Sequence, residues 1–301
     1  MSTPASARAD TLRAEGVKAL NRTLIFGFGK TQKYEDAAEN FKNAGNAYKL
    51  ANLWQSAGEC FRQASEAYQV LDSSTDVTGS LVEAAQCFKK TNPGEAVATF
   101  RQAIDLYNLN GRFGMSSRYC KEMAEVYEQD NNSEMALKSY EEAAELFEND
   151  GKKSNANQCL LKVATISAEH GNLSKAAEIY ENIGKESMSS RLGSYSAKGY
   201  FFQSLLCHLA MGDNVQVQQK VAQFQNIDFS FKGSRECDFI ERVLKACDEV
   251  NLEEFSDACA DFDRVTPLDP WKTSMLLRCK KFLSDQAGEP VTGADGEVDL
   301  S

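Results

Sequence analysis

An internal period of about twenty residues constrains this chain more than any other feature. Apolar residues recur at Phe41, Phe61, Leu81, Phe100, Cys120, Tyr140, Leu160 and Tyr180. Four residues before these anchors lie Ala37, Ala57, Val77, Ala96, Ser116, Ala136, Ala156 and Ala176. Three residues after them lie Ala44, Ala64, Ala84, Ala103, Met123, Ala143, Val163 and Ile183. Only Ser116 in these ladders is polar, in a chain that is 42% apolar overall. A fourth ladder, seven residues after the anchors, reads Tyr48, Tyr68, Phe88, Tyr107, Tyr127 and Phe147, and breaks at Ser167 and Ser187. Positions i, i+4, i+7 and i+11 share one face of an α-helix, so each unit predicts one helix of about fifteen residues with a single apolar stripe. Turn residues fall between the stripes at the same period: Asn92-Pro93-Gly94, Asn110-Gly111, Asp130-Asn131-Asn132, Asp150-Gly151 and Gly171-Asn172. A helix with one stripe cannot bury it alone. The units must stack, two to an antiparallel hairpin of about forty residues, into an all-α solenoid of the tetratricopeptide type. Residues 5–22 predict an additional leading helix.

The period fades after residue 190. Tyr195 to Met211, Val215 to Gln225, Ser234 to Val250, Leu252 to Asp263 and Pro270 to Ser284 read as helices of unequal length, forming a bundle that caps the array. From Asp285 on there are five acidic residues and no Lys or Arg, which predicts a flexible acidic tail. The expected division is therefore a repeat array over 1–190 with an apolar loop near 24–29, a helical bundle over 191–284 and a tail over 285–301.

Composition narrows the function. Lys plus Arg number 33 against 44 Asp plus Glu, a net charge of −11, which argues against a sequence-independent nucleic-acid binder. The most apolar stretch, Tyr200 to Met211, is interrupted by Gln203, Ser204 and His208 and is too short to span a bilayer. The N-terminus shows no apolar run ending in a small-residue cleavage site, which argues against export. Nine cysteines without one Cys-x-x-Cys pair read as reduced, mostly buried thiols of a cytosolic protein. The two histidines, His170 and His208, have no metal-ligand spacing, and no nucleophile elbow, zinc signature or dinucleotide fingerprint occurs. Gly27-Phe28-Gly29-Lys30-Thr31 ends like a phosphate loop, but Leu24 stands where the first glycine belongs. The residues predict a docking surface without enzyme activity, metal or cofactor.

Several longer stretches are more specific than repeat residues. Asn157-Gln158-Cys159-Leu160-Leu161-Lys162-Val163-Ala164, Tyr195-Ser196-Ala197-Lys198-Gly199-Tyr200-Phe201-Phe202, Ser234-Arg235-Glu236-Cys237, and Leu268-Asp269-Pro270-Trp271 with Met275-Leu276-Leu277-Arg278 resemble the soluble NSF attachment proteins, closest to the alpha type. The resemblance runs along almost the whole chain. It implies an adaptor that coats a four-helix SNARE bundle, of syntaxin-type and related coiled-coil proteins, and recruits the hexameric ATPase NSF to pull it apart. It further implies a cytoplasmic protein in peripheral contact with membranes, monomeric in solution, with several copies on each SNARE bundle.

Three surfaces acquire meaning from that resemblance. Leu24, Ile25, Phe26 and Phe28, interleaved with Gly27 and Gly29, find no stripe to join and match the family's membrane-touching loop. A loop folded back onto the array is the alternative. Arg112, Arg118, Lys162, Lys198 and Arg235, with Tyr195 beside them, match family positions on the face that meets the acidic SNARE bundle. Gln158 and Leu53 stand where alpha-type members carry Lys, and each basic residue taken singly is also what a solvated surface carries. Asp248, Glu249, Glu253 and Glu254, with Glu297, Asp299 and Leu300 in the tail, match carboxylates and a penultimate leucine that the family uses toward NSF. Ser301 replaces the basic last residue often seen there. The competing class is a generic tetratricopeptide scaffold that captures a short peptide.

Overall fold

The computed structural model describes residues 4–23 and 29–288. All regular structure among them is helical: α1 Pro4–Leu20, α2 Lys30–Leu50, α3 Trp54–Val70, α4 Ser74–Phe88, α5 Pro93–Leu109, α6 Phe113–Gln129, α7 Ser133–Asn149, α8 Lys153–Glu169, α9 Leu173–Ser187, α10 Arg191–Ala210, α11 Asn214–Ile227, α12 Arg235–Asp248, α13 Leu252–Asp263 and α14 Pro270–Ala287. The periodicity thus locates every repeat helix. α10 begins before Tyr195 because Ser190 caps it, its Oγ accepting from the Gly193 N–H at 3.0 Å. α14 continues through Asp285 to Ala287, into what was expected to be tail, and stops where Gly288 takes φ 72°.

The turns explain the period. In most connections one residue adopts the left-handed conformation, and the residue after it opens the next helix. Asn52, Asp72 and Asn131 fill that position at φ 58°, 54° and 57°, and Gly111, Gly151, Gly171 and Gly212 fill it elsewhere. These residue types tolerate positive φ best. The next N–H then bonds back to a carbonyl of the preceding helix: Leu53 N to Tyr48 O at 3.0 Å, Arg112 N to Tyr107 O at 2.8 Å, Asn132 N to Tyr127 O at 2.9 Å and Lys152 N to Phe147 O at 2.8 Å. This closure satisfies a helix-end carbonyl. Its acceptors are residues of the fourth ladder, so the aromatic positions also mark where each helix closes. Asn132 and Asn172 then cap the following helix through their Oδ1 atoms.

Two compact units divide within α8, the first Met1–Cys159 and the second Leu160–Ser301. In the first, each helix from α1 to α6 packs on the next in the chain. Ala37, Ala57, Ala96 and Ala136 are fully buried, as are the anchors Phe41, Phe100, Cys120 and Tyr140. Small residues let helices approach closely. A methyl added at Gly58 would lie 2.5 Å from the Phe88 ring, and one at Gly45 would lie 2.9 Å from that of Phe61. Leu160 departs from the pattern and is only half buried, as are Tyr68 and Tyr127.

Polar links join helices that are two apart in the chain. Arg13 of α1 pairs with Glu59 of α3 at 3.3 Å, and Lys49 of α2 with Glu83 of α4 at 2.5 Å. Lys89 after α4 pairs with Glu125 of α6 at 3.3 Å, and Lys121 of α6 donates to Gln158 of α8 at 3.2 Å. Arg101 of α5 grips Glu142 of α7 through both nitrogens, at 2.7 and 2.8 Å. That two-pronged hydrogen bond holds the Glu142 carboxyl below its usual 4.5 despite burial.

In the second unit α10 is the hub, packing against α9, α11, α12 and α14. Phe201 stacks on Phe224 at 4.3 Å, and Phe202 and Phe239 converge on Phe262. Glu181 of α9 is buried between Lys185 at 2.6 Å and Lys220 of α11 at 2.7 Å. Burial raises its pKa, but the two lysine hydrogen bonds outweigh that effect and the net shift is downward.

Candidate partner-binding surfaces

The basic residues divide between the two units. In the first, Arg112 is exposed at the start of α6. Arg118, also exposed, lies 3.3 Å from Glu122 and carries its guanidinium 5.5 Å from the ring centre of Tyr119. Tyr119 is itself fixed by stacking on Tyr107 at 5.7 Å and Phe100 at 6.1 Å. Lys121, which sequence reasoning passed over, sits one turn beyond Arg118 and reaches Gln158 at 3.2 Å. A lysine therefore stands beside the place where Gln158 leaves a charge out. Lys162, one turn further along α8 and already in the second unit, is exposed. Leu53 is the residue that opens α3 and is exposed.

In the second unit, Tyr195 and Leu192 lie one turn apart on α10, 71% and 85% exposed. Lys198, one turn further on, lies 3.9 Å from Glu236. Glu236 neighbours Arg235, the first residue of α12, whose guanidinium lies 5.9 Å from the Phe262 ring. Tyr195, Lys198 and Arg235 therefore gather where α10 and α12 begin.

The acidic residues collect where α12 ends. Asp248 accepts from Asn214 Nδ2 at 2.8 Å, which fixes the α12–α13 turn beside the α10–α11 turn. Glu249 lies 3.9 Å from Lys245, and Glu253 is exposed in the first turn of α13. Glu254 is paired within the bundle: Arg242 Nε holds it at 2.5 Å and the same guanidinium holds Asp261 at 2.8 Å. Between α11 and α12 runs a groove of about 520 Å³ with Val221 and Leu244 in its floor and Asp248 and Glu249 at its mouth. One helix thus joins the two regions, Arg235 beginning α12 and Asp248 ending it, about 20 Å apart at 1.5 Å per residue.

Leu24, Ile25, Phe26 and Phe28 lie outside the described residues, as do Glu297, Asp299 and Leu300. The flanks of the first group are fixed: Arg22 pairs with Asp36 at 3.0 Å, and Lys33 donates to the Arg22 carbonyl at 3.1 Å. Among the described residues no group of three or more His, Cys, Asp or Glu is arranged to hold a metal ion, and no helix is long and apolar enough to cross a membrane.

Residues 7–284 match the family described as Soluble NSF attachment protein, SNAP. The chain belongs to the soluble NSF attachment protein family. It is 36% identical over 276 residues to the alpha-soluble NSF attachment protein of Vitis vinifera, covering 92% of this chain and 94% of that relative. It is 37% identical over 268 residues to the beta-soluble NSF attachment protein of Bos taurus, covering 89% and 90%. The probable vesicular-fusion protein sec17 homolog of Neurospora crassa is 35% identical over 267 residues, covering 88% and 91%. The SNAP match spans α2 to α13 entire and takes in most of α1 and α14, so both charged regions of α12 lie within it.

Proposed function

We infer that this SNAP-family chain is a non-enzymatic adaptor that binds assembled SNARE complexes and recruits and stimulates the ATPase NSF for their ATP-dependent disassembly in vesicle fusion. The family match over residues 7–284 carries this reading. A generic peptide-binding scaffold is not favoured, because the similarity to attachment proteins extends over 92% of the chain and is not confined to repeat positions.

The charge distribution supports a division of labour. Arg112 and Arg118 in the first unit, and Lys162, Tyr195, Lys198 and Arg235 in the second, meet the acidic SNARE bundle, and Lys121 joins them. Opposite charges on two such faces mainly raise the association rate and orient the encounter. Asp248, Glu249 and Glu253 face NSF, assisted by Glu297, Asp299 and Leu300. Glu254 belongs to the same group, held in place by Arg242. Leu24, Ile25, Phe26 and Phe28 touch the bilayer, with Arg22 and Lys33 beside them suited to anionic headgroups. The protein works in the cytoplasm at membrane surfaces, monomeric until several copies assemble on one SNARE bundle.

The test is disassembly of a purified SNARE complex by NSF and ATP, with and without this chain. ATP-dependent loss of the complex only when the chain is present is the expected result. A folded chain that binds neither the complex nor NSF would overturn the reading.

A further inference from the structure

All nine cysteines are buried, but the fold brings two of them together. Cys247 in the last turn of α12 and Cys279 in α14 are separated by 32 residues in sequence and place their sulfurs 3.7 Å apart. This is thiol hydrogen-bond distance, and the two sulfurs belong to different helices of the second unit. Burial pushes the other thiols up, to about 11 for Cys60, Cys87 and Cys159 and about 12 for Cys207 and Cys259. Cys247 moves the opposite way through its hydrogen bond with the Cys279 thiol, and Cys279 rises correspondingly. Cys247 is also 7% exposed against 4% for Cys279, and it precedes the exposed turn Asp248, Glu249, Val250. The route for a small oxidant to Cys247 is opening of this last turn against the Asp248–Asn214 hydrogen bond.

We propose that Cys247 and Cys279 form an oxidation site that takes a small hydroperoxide and closes to a disulfide joining α12 to α14. The Cys247 thiolate attacks one oxygen of hydrogen peroxide. The O–O bond breaks, hydroxide leaves and takes up a proton as water, and Cys247 becomes a sulfenic acid. Cys279 then attacks the Cys247 sulfur, forming the S–S bond. The sulfenic oxygen departs with the Cys279 proton as a second water. Two thiols are oxidised and one peroxide is reduced to two waters, so no further reactant is needed. The bond would tie the helix that carries Asp248 to the helix that leads into the tail. A dithiol reductant reverses it.

The test uses the full reduced chain, treated with hydrogen peroxide, then denatured, alkylated and mapped by mass spectrometry without reduction. The expected result is a Cys247 peptide linked to a Cys279 peptide, lighter than the two together by two hydrogen atoms, with the other thiols alkylated. Dithiothreitol should abolish the link. In a Cys279→Ser variant the same treatment should leave a Cys247 sulfenic acid that dimedone captures. Complete alkylation of both cysteines at peroxide doses that oxidise a control peptide thiol would overturn the proposal. So would a link to any other cysteine, or passage of Cys247 straight to sulfinic acid in the unaltered chain.

Discussion

The turn into α13 holds Val250 at φ 51°, in the position that the other turns give to Gly, Asn or Asp. A β-branched residue there bears the left-handed penalty of ~1–2 kcal/mol. Val250 is 41% exposed, so little packing offsets it. Val250→Gly removes the penalty but adds ~0.5–1 kcal/mol of backbone entropy cost, leaving a net gain of up to ~1.5 kcal/mol. A higher urea midpoint at unchanged m-value is the expected outcome. Gly58 is the opposite case, since the buried Phe88 ring occupies the space a methyl would need. Gly58→Ala should cost ~1–3 kcal/mol, read as a lower melting temperature. Asn110-Gly111 and Asp150-Gly151 announce their turns because those residues tolerate positive φ. Val250 announces nothing, because its type points away from the conformation it adopts.

At the scale of a helix, α12 places its end charges against its own dipole. A cation at the N-terminus and an anion at the C-terminus each oppose the helix macrodipole by ~0.3–1 kcal/mol. Arg235 and Asp248 occupy those two ends, although Glu236, Asp238 and Lys245 compensate within the adjoining turns. Charges that the helix does not favour fit a role toward partners. Asp248→Asn, which keeps an oxygen to accept from Asn214, should therefore leave the melting temperature equal or slightly raised while weakening NSF binding. Arg235→Glu should do the same for SNARE binding alone. Binding measured by pull-down alongside thermal melts checks both, and loss of binding that tracks loss of folding would refute the assignment. The α12 stripe was plain from its apolar spacing. That Lys198 of α10 comes within 3.9 Å of Glu236 of α12 was not, because it depends on how α10 packs against α12.

For the whole molecule, the SNARE-facing reading rests on basic residues spread over several helices. Reversing charge at Arg118 and Lys162 together should lower affinity for a SNARE complex about tenfold or more at low salt, with the difference shrinking as ionic strength rises. Equal affinity for variant and parent in surface-binding measurements would remove these residues from the interface. An unchanged helical spectrum would separate this effect from unfolding, since neither side chain is buried. The sequence alone determined the helix count of the repeat, the stripe each helix buries, and the places where most turns close, because these follow from local periodicity and from residues suited to positive φ. Only tertiary structure decided that Lys121 stands beside Gln158, that Glu254 is tied to Arg242, and that Cys247 meets Cys279. Those pairings join residues from separate helices, and no local preference of the chain specifies which side chains stacking will bring within reach.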